Sequence, residues 1–324
     1  MDYRCSLYGL GVVANRPIPG VPSSTIASED VCISFGSLPA WLNDITATQI
    51  ETSYVAEYKS ECGEPALRVF RVLDGNYYRF NYADATEFLV DCAGTEVWAD
   101  WSAPLTLEDT STYLLGPVMG FVMLLRGIVC LHASAIAVDG KAIALLGPAG
   151  SGKSTTAAAF SERGYSILAE DVVTLDDRGE QFLVRPGYPC IRLWPASVKA
   201  LYGSENHLPK LTPNWDKCYL DLTERAFSAE PLPLAAIYHL RERRHDAVAP
   251  FVESLDRSEG LLSLIANTYA TKLMDKQMRA REFKLLTRVL NNVPLRRVTP
   301  HADPARIPEL CDTILNDFRH GSVA

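Results

Sequence analysis

Residues Gly147, Pro148, Ala149, Gly150, Ser151, Gly152, Lys153 and Ser154 satisfy the spacing G-x-x-x-x-G-K-[ST]. That spacing belongs to one local architecture: a strand, a curled glycine-rich loop and the first turn of a helix. The glycines let the backbone curl so that successive amide hydrogens converge on phosphate oxygens. A helix beginning at the loop's end presents free amides and a favourable dipole to an anion. Lys153 reaches the β and γ phosphates as a point charge. The hydroxyl of Ser154 can ligate magnesium, and Thr155 completes the stretch expected to hold the nucleotide.

The flanking sequence supplies the required context. Residues 141–146 read as a strand running straight into the loop. Residues 153–162 read as a helix, with Gly164 just past its end. A strand over 165–168 then ends at the acid pair Glu170-Asp171. An acid placed there, Glu170 or Asp171, can hold magnesium or take a proton from an attacking hydroxyl. The chain carries no Asn-Lys-x-Asp guanine motif and no Leu-Ser-Gly-Gly-Gln transporter signature, so ATP is the expected nucleotide by elimination.

The chain has 324 residues, which suits about two domains. A net charge of -8 argues against a general nucleic-acid binder. The apolar stretch 114–125 is too short to span a bilayer and holds Gly116, Pro117 and Gly120, so it reads as a buried helix and no membrane partner is expected. No two of the eight cysteines lie within four residues of each other, so they are read as reduced buried thiols. With no basic start followed by an apolar run, the expected location is the cytoplasm.

The expected fold class is α+β/α/β: an antiparallel β-rich module over 1–112, then a P-loop kinase domain over 113–324. Residues 5–14 and 30–38 are short apolar or alternating runs. Asp74-Gly75 and Ala93-Gly94 mark hairpins in the first part, and Asp139-Gly140 marks one in the second. Further on, 182–185, 190–193, 219–222 and 234–240 read as strands. Helices are expected at 195–203, across 258–292 with a break near 270, and at 304–318; the polar segment 204–217 reads as a loop.

The block 131–173, LHASAIAVDGKAIALLGPAGSGKSTTAAAFSERGYSILAEDVV, resembles the catalytic domain of HPr kinase/phosphorylase. The order is that family's: a histidine (His132), a strand pair, the loop, a helix and a strand ending in two acids. The resemblance implies that Glu170 is the catalytic base toward a serine hydroxyl, and that Asp171 assists the metal and pairs with His132. The acid pair is Glu-Asp where the family has Asp-Asp. Cys190 stands where the family has a magnesium-binding glutamate, shortly before Arg192. In overall layout the chain is more similar to divergent HPr-kinase-like proteins of clusters that make ribosomal peptides, lasso peptides among them. Leu7-Tyr8-Gly9-Leu10 and the Pro-Gly-Tyr-Pro-x-x-Arg-Leu-Trp-Pro segment over 186–195 carry that likeness.

The resemblance implies a serine kinase acting on a peptide or protein. Family members assemble into homo-oligomers, and the apolar segment 114–125 could serve that or the core. Arg192 and Lys217, and more weakly Arg185, are candidate cations for the transferring group. Two other readings fit the same motif: an ATP-binding scaffold that transfers nothing, and a small-molecule kinase.

Overall fold

The computed structural model describes residues 2–224 and 226–321, which form two compact units. One runs through Ile128 and takes in Thr212–Asn214 and Ala270–Met278; the other begins at Val129 and holds the rest.

The first unit is built on an eight-stranded sheet. Its strands are β1 (Tyr3–Leu7), β2 (Leu10–Ala14), β3 (Val31–Phe35), β4 (Ile50–Val55), β5 (Leu67–Val72), β6 (Tyr77–Tyr82), β7 (Glu87–Asp91) and β8 (Glu96–Asp100), in the order β1-β2-β3-β8-β7-β6-β5-β4. The run 5–14 is two strands, not one. Tyr8 and Gly9, with φ 54° and 78°, make the two-residue turn between them. The expectation of an antiparallel module needs correcting at β3, which runs parallel to both β2 and β8. No tight turn precedes it; the chain instead crosses over through residues 15–30. The hairpins at Asp74-Gly75 and Ala93-Gly94 form as read.

Helices α1 (Leu107–Tyr113) and α2 (Met119–Leu125) are joined by a π-helical turn that carries Pro117. Thr106 and Asp109 cap the start of α1 reciprocally. Phe121 packs edge-on against Tyr78 and Phe80, and Tyr113 stacks on Tyr82. The apolar stretch 114–125 is therefore core of this unit. The division between units falls at 128/129 and not at 112/113 because these helices pack on the first sheet.

The second unit contains β9 (Val129–Val138), β10 (Lys141–Leu146), α3 (Lys153–Glu162), β11 (Ile167–Ala169), β12 (Val172–Asp177), β13 (Phe182–Val184), β14 (Cys190–Leu193), α4 (Pro195–Tyr202), β15 (Cys218–Asp221), β16 (Leu232–Leu240), β17 (Phe251–Ser254), α5 (Arg257–Ala266), most of α6 (Lys276–Asn292), β18 (Leu295–Thr299) and α7 (Ile307–His320). Its main sheet has the order β10-β9-β12-β13-β16-β18-β17, and β10 also pairs with β16. Strands β14 and β15 form a separate pair.

Both faces of the main sheet are buried. Ile143 and Leu145 point into a cluster with Phe160 of α3 and Ile314 of α7. Ala142, Ala144 and Leu146 point into another, with Leu264 of α5 and Leu286 and Val289 of α6. This double burial explains why β10 reads as a continuous apolar run. Strands β10, β16 and β18 are mutually parallel, so their carboxyl ends lie side by side. The loops leaving those ends are where α/β sheets place ligands. Strands β17 and β18 were not anticipated, since LRRVT and FVES carry too few apolar residues to stand out. No helix among the described residues is long and apolar enough to cross a membrane.

Candidate active site

The loop after β10 is curled. Gly147, Gly150 and Gly152 have φ of 148°, 80° and 105°. At Gly147 a Cβ would sit 2.7 Å from the carbonyl oxygen of Leu240, so the close approach of β16 requires glycine there. Gly152, left-handed, heads α3, and no side chain caps the helix. The first amides of α3 are thus left for another acceptor. Lys153 is buried and folds back, donating to the carbonyls of Gly147 at 2.7 Å and Pro148 at 3.2 Å. Burial lowers the pKa of its amine, while Asp171 and Glu170 oppose that shift.

The acid pair occupies a kink between β11 and β12, which both pair with β9. The amide of Val172 donates to the carbonyl of Glu170 at 2.8 Å, and Asp171 is left-handed with φ 68°. In a continuous strand the two carboxylates would face opposite ways; the kink sends both toward one site. Register does the rest. Val172 lies opposite His132, so His132 Nε2 comes within 3.2 Å of Asp171 Oδ1.

Glu170 Oε1 accepts from the Ser154 hydroxyl at 2.7 Å. Glu170 Oε2 is buried without a hydrogen-bond partner, and Arg192 Nε lies 3.7 Å away. The other arm of Arg192 donates to Asp171 Oδ2, and Tyr269 bonds the same carboxylate. Burial, then the charge of Asp171, raises the pKa of Glu170 against the counter-pull of Arg192 and Ser154. Burial would raise Asp171 too, but Arg192, followed by His132 and Tyr269, holds it far below the usual carboxylate range.

The structure therefore gathers His132, Lys153, Ser154, Glu170, Asp171 and Arg192 into one site. It distributes the acids differently from the expected metal pair: Ser154 faces Glu170, while Asp171 is taken by His132 and Arg192. Thr155 donates to Ser197 of α4 at 2.8 Å. Lys217 Nζ lies 5.2 Å over the Trp194 ring and adds positive potential at Lys153 and Glu170. Arg185 forks onto Asp176, away from this cluster. Cys190 is buried, and burial pushes its thiol pKa up, so it keeps its proton and is no ligand for a hard cation.

Sequence reading missed the residues at the end of β16 and just after it. Arg243 Nη2 lies 3.1 Å from where a Cβ of Gly152 would stand. His239, buried, accepts or donates at Nδ1 with Ser263 Oγ at 3.1 Å. The string R-E-R-R over 241–244 looks like surface charge until β16 is known to run parallel to β10. Two cavities flank the loop. One, of about 180 Å³, is lined by Thr155, Thr156, Ser197 and His301; the other, of about 810 Å³, opens at Pro148.

Among the described residues no group of three or more His, Cys, Asp or Glu could cage a metal. The donors present, Ser154 Oγ and the unpartnered Glu170 Oε2, are hard oxygens. They fit magnesium, which commonly takes one or two protein oxygens and fills its shell with phosphate and water.

A curled glycine-rich loop lies at the carboxyl ends of parallel strands, with a buried carboxylate on its serine hydroxyl, an arrangement that can receive an anionic ligand. In sequence, the chain is 33% identical over 79 residues to an HPr kinase/phosphorylase of Prosthecochloris aestuarii, a match covering 22% of this chain and 23% of that protein. The matched stretch is thus less than a quarter of the relative's length, and the resemblance to the HPr kinase-like family read from the motif order stands on it. No family model matches the chain. In solved structures, the HPr(Ser) kinase/phosphatase of Coxiella burnetii overlays with a TM-score of 0.33 at 13% identity, covering 59% of this chain and 90% of that one.

Proposed function

We propose that the chain transfers the γ-phosphoryl group of ATP to a serine hydroxyl of a peptide or protein. The observation that carries this reading is Glu170: a buried carboxylate of raised pKa, bonded to the P-loop hydroxyl and with one oxygen unpartnered. A base poised nearer neutrality is what removal of a hydroxyl proton calls for. Glu170 takes that proton as the serine oxygen bonds to phosphorus and the bond to the ADP oxygen breaks. Lys153 leaves the loop carbonyls to hold charge on the transferring group, and Arg243 is placed to assist from above Gly152. Asp171 stays ionised between Arg192 and His132, and its charge keeps Glu170 basic.

Ser154 would hold magnesium together with phosphate and water oxygens, and the ion would offset charge on the phosphate oxygens, leaving Glu170 as the base. The smaller cavity, beyond Thr155, offers room for part of the nucleoside. The serine acceptor is inferred from the resemblance to HPr kinase/phosphorylase. A ribosomal precursor peptide follows from the likeness to the lasso-peptide branch, and a cytoplasmic setting from the use of ATP.

Incubation of the purified chain with γ-labelled ATP and serine-bearing peptides tests this. The expected product is phosphoserine, absent with Lys153→Ala and strongly reduced with Glu170→Gln. Tight ATP binding with no labelled acceptor would sink the kinase reading and leave an ATP-binding scaffold.

A further inference from the structure

The larger cavity, about 810 Å³, begins at Pro148 and runs along the segment that follows β16. Four arginines line it, and they are not equivalent. Arg297 is neutralised by Glu253 at 3.3 Å and Glu259 at 3.7 Å. Arg241, Arg243 and Arg244 make no ion pair among the described residues. Against those three guanidiniums the cavity sets one further carboxylate, Glu242. A chain of net charge -8 has carboxylates enough to neutralise three cations, yet it leaves these bare beside the phosphate-binding loop.

The nucleotide does not account for them all. Its phosphates have the loop amides and Lys153, and Arg243 alone reaches over Gly152. A volume of about 810 Å³ also lies in the range of clefts that hold multi-group ligands, well beyond a single anion. Asn267, in the cavity wall, accepts the His132 amide through its carbonyl at 2.7 Å. One wall therefore connects the arginines to the acid pair.

We propose that this cavity holds a carboxylate-rich stretch of the acceptor peptide, clamped by Arg241 and Arg244, so that the kinase acts on serines in acidic sequence. The proposal rests on the kinase reading above and specifies its substrate class. Arginine forks bind carboxylates with two parallel hydrogen bonds, which fixes the acceptor chain in position as well as attracting it.

The test uses the full chain and a fluorescein-labelled heptapeptide, one serine flanked by three glutamates on each side, with its glutamine counterpart. Anisotropy should give binding of the glutamate peptide on the order of tenfold tighter than the glutamine one. Added salt should erode that preference. The double variant Arg241→Gln/Arg244→Gln should abolish it while circular dichroism stays unchanged. Lys153→Ala should retain it, because the clamp does not use the P-loop lysine. Equal binding of the two peptides, or a preference that survives the double variant, overturns the proposal. The two readings fail separately. Charge-dependent binding with no transfer removes the kinase and keeps the clamp; transfer to both peptides with equal kcat/KM removes the clamp and keeps the kinase.

Discussion

The two units set their buried carboxylates against different neighbours. In the first, Asp109 is fully buried; its Oδ2 accepts from Thr106 and Asn214 while Oδ1 has no hydrogen-bond partner, and no charged group faces it among the described residues, so its carboxylate finishes a helix cap. Tyr8, Leu73, Asp74 and Ala85, with positive φ, all lie in turns between paired strands. In the second unit, Asp139 serves a turn in the same way, but Asp171 is left-handed within a strand break. Around it Glu170 and Arg192 are buried together with Lys153, and Glu170 keeps one oxygen unpartnered. Polar burial that ends in caps stabilises structure. Polar burial that ends in other ionisable groups is how pKa values are shifted for chemistry.

The largest effect expected from that contrast is kinetic. Glu170→Gln should lower kcat for phosphate transfer roughly 10²–10⁴-fold, the usual worth of a positioned base. Thermal unfolding should barely move, since the amide keeps the size and the bond to Ser154. The wild-type rate should rise with pH as Glu170 loses its proton, over a range above that of an ordinary glutamate. A rate flat in pH with full activity in Glu170→Gln would remove Glu170 from the mechanism.

Arg192→Met should act on both stability and the pH profile. It leaves Asp171 without its main cation, a loss of roughly 3 kcal/mol, at the low end for a broken buried pair because His132, Tyr269 and some solvent remain. The sign can be checked. Asp171 is depressed in the fold, so its stabilisation is present above the ordinary aspartate pKa and disappears as pH falls through the depressed value. The variant should therefore lose stability at neutral pH and show a smaller further loss in acid. Arg192 also lowers Glu170, so the rising limb of the rate should move to higher pH. Urea unfolding at several pH values and kcat against pH measure the two effects.

Much of this site was legible because its parts are local. The loop, helix α3, the acid pair and the 139–140 turn lie within one contiguous block, and turn residues and apolar runs announce each element. His132 was placed by resemblance, and its physical reason is register: Val172 opposite His132 is a pairing no spacing rule displays. Arg241, Arg243 and Arg244 were illegible because their position depends on β16 lying parallel to β10. The kink at Asp171 was missed for a related reason. Nothing in EDVV announces a left-handed aspartate, since its conformation is held by Arg192 and His132. In the first unit the same limit hid the parallel setting of β3, a choice made by the crossover 15–30.

Asp109→Ala should lie lower on the scale. It removes half of a reciprocal helix cap, worth about 1 kcal/mol, and leaves the Asn214 amide with the Pro104 carbonyl alone as acceptor. Phosphate transfer per folded molecule should not change. A fall in kcat at constant stability would make Asp109 part of the chemistry and blur the contrast between the units.

The smallest effect is the sharpest comparison of the two left-handed residues. Ala85 is exposed, closes the β6–β7 turn through its amide on Tyr82, and has φ 68°, the same value as Asp171. Ala85→Gly removes a left-handed penalty of roughly 1–2 kcal/mol. It also adds unfolded-chain freedom worth about 0.5–1 kcal/mol. The net gain should be a few tenths to about 1 kcal/mol, with no change in activity. Asp171→Gly relieves the same backbone penalty yet should destabilise, because Arg192 and His132 lose the carboxylate that orders them. Opposite signs at equal φ would show that strain in the first unit belongs to a turn, and that strain in the second is maintained by the charges of the site.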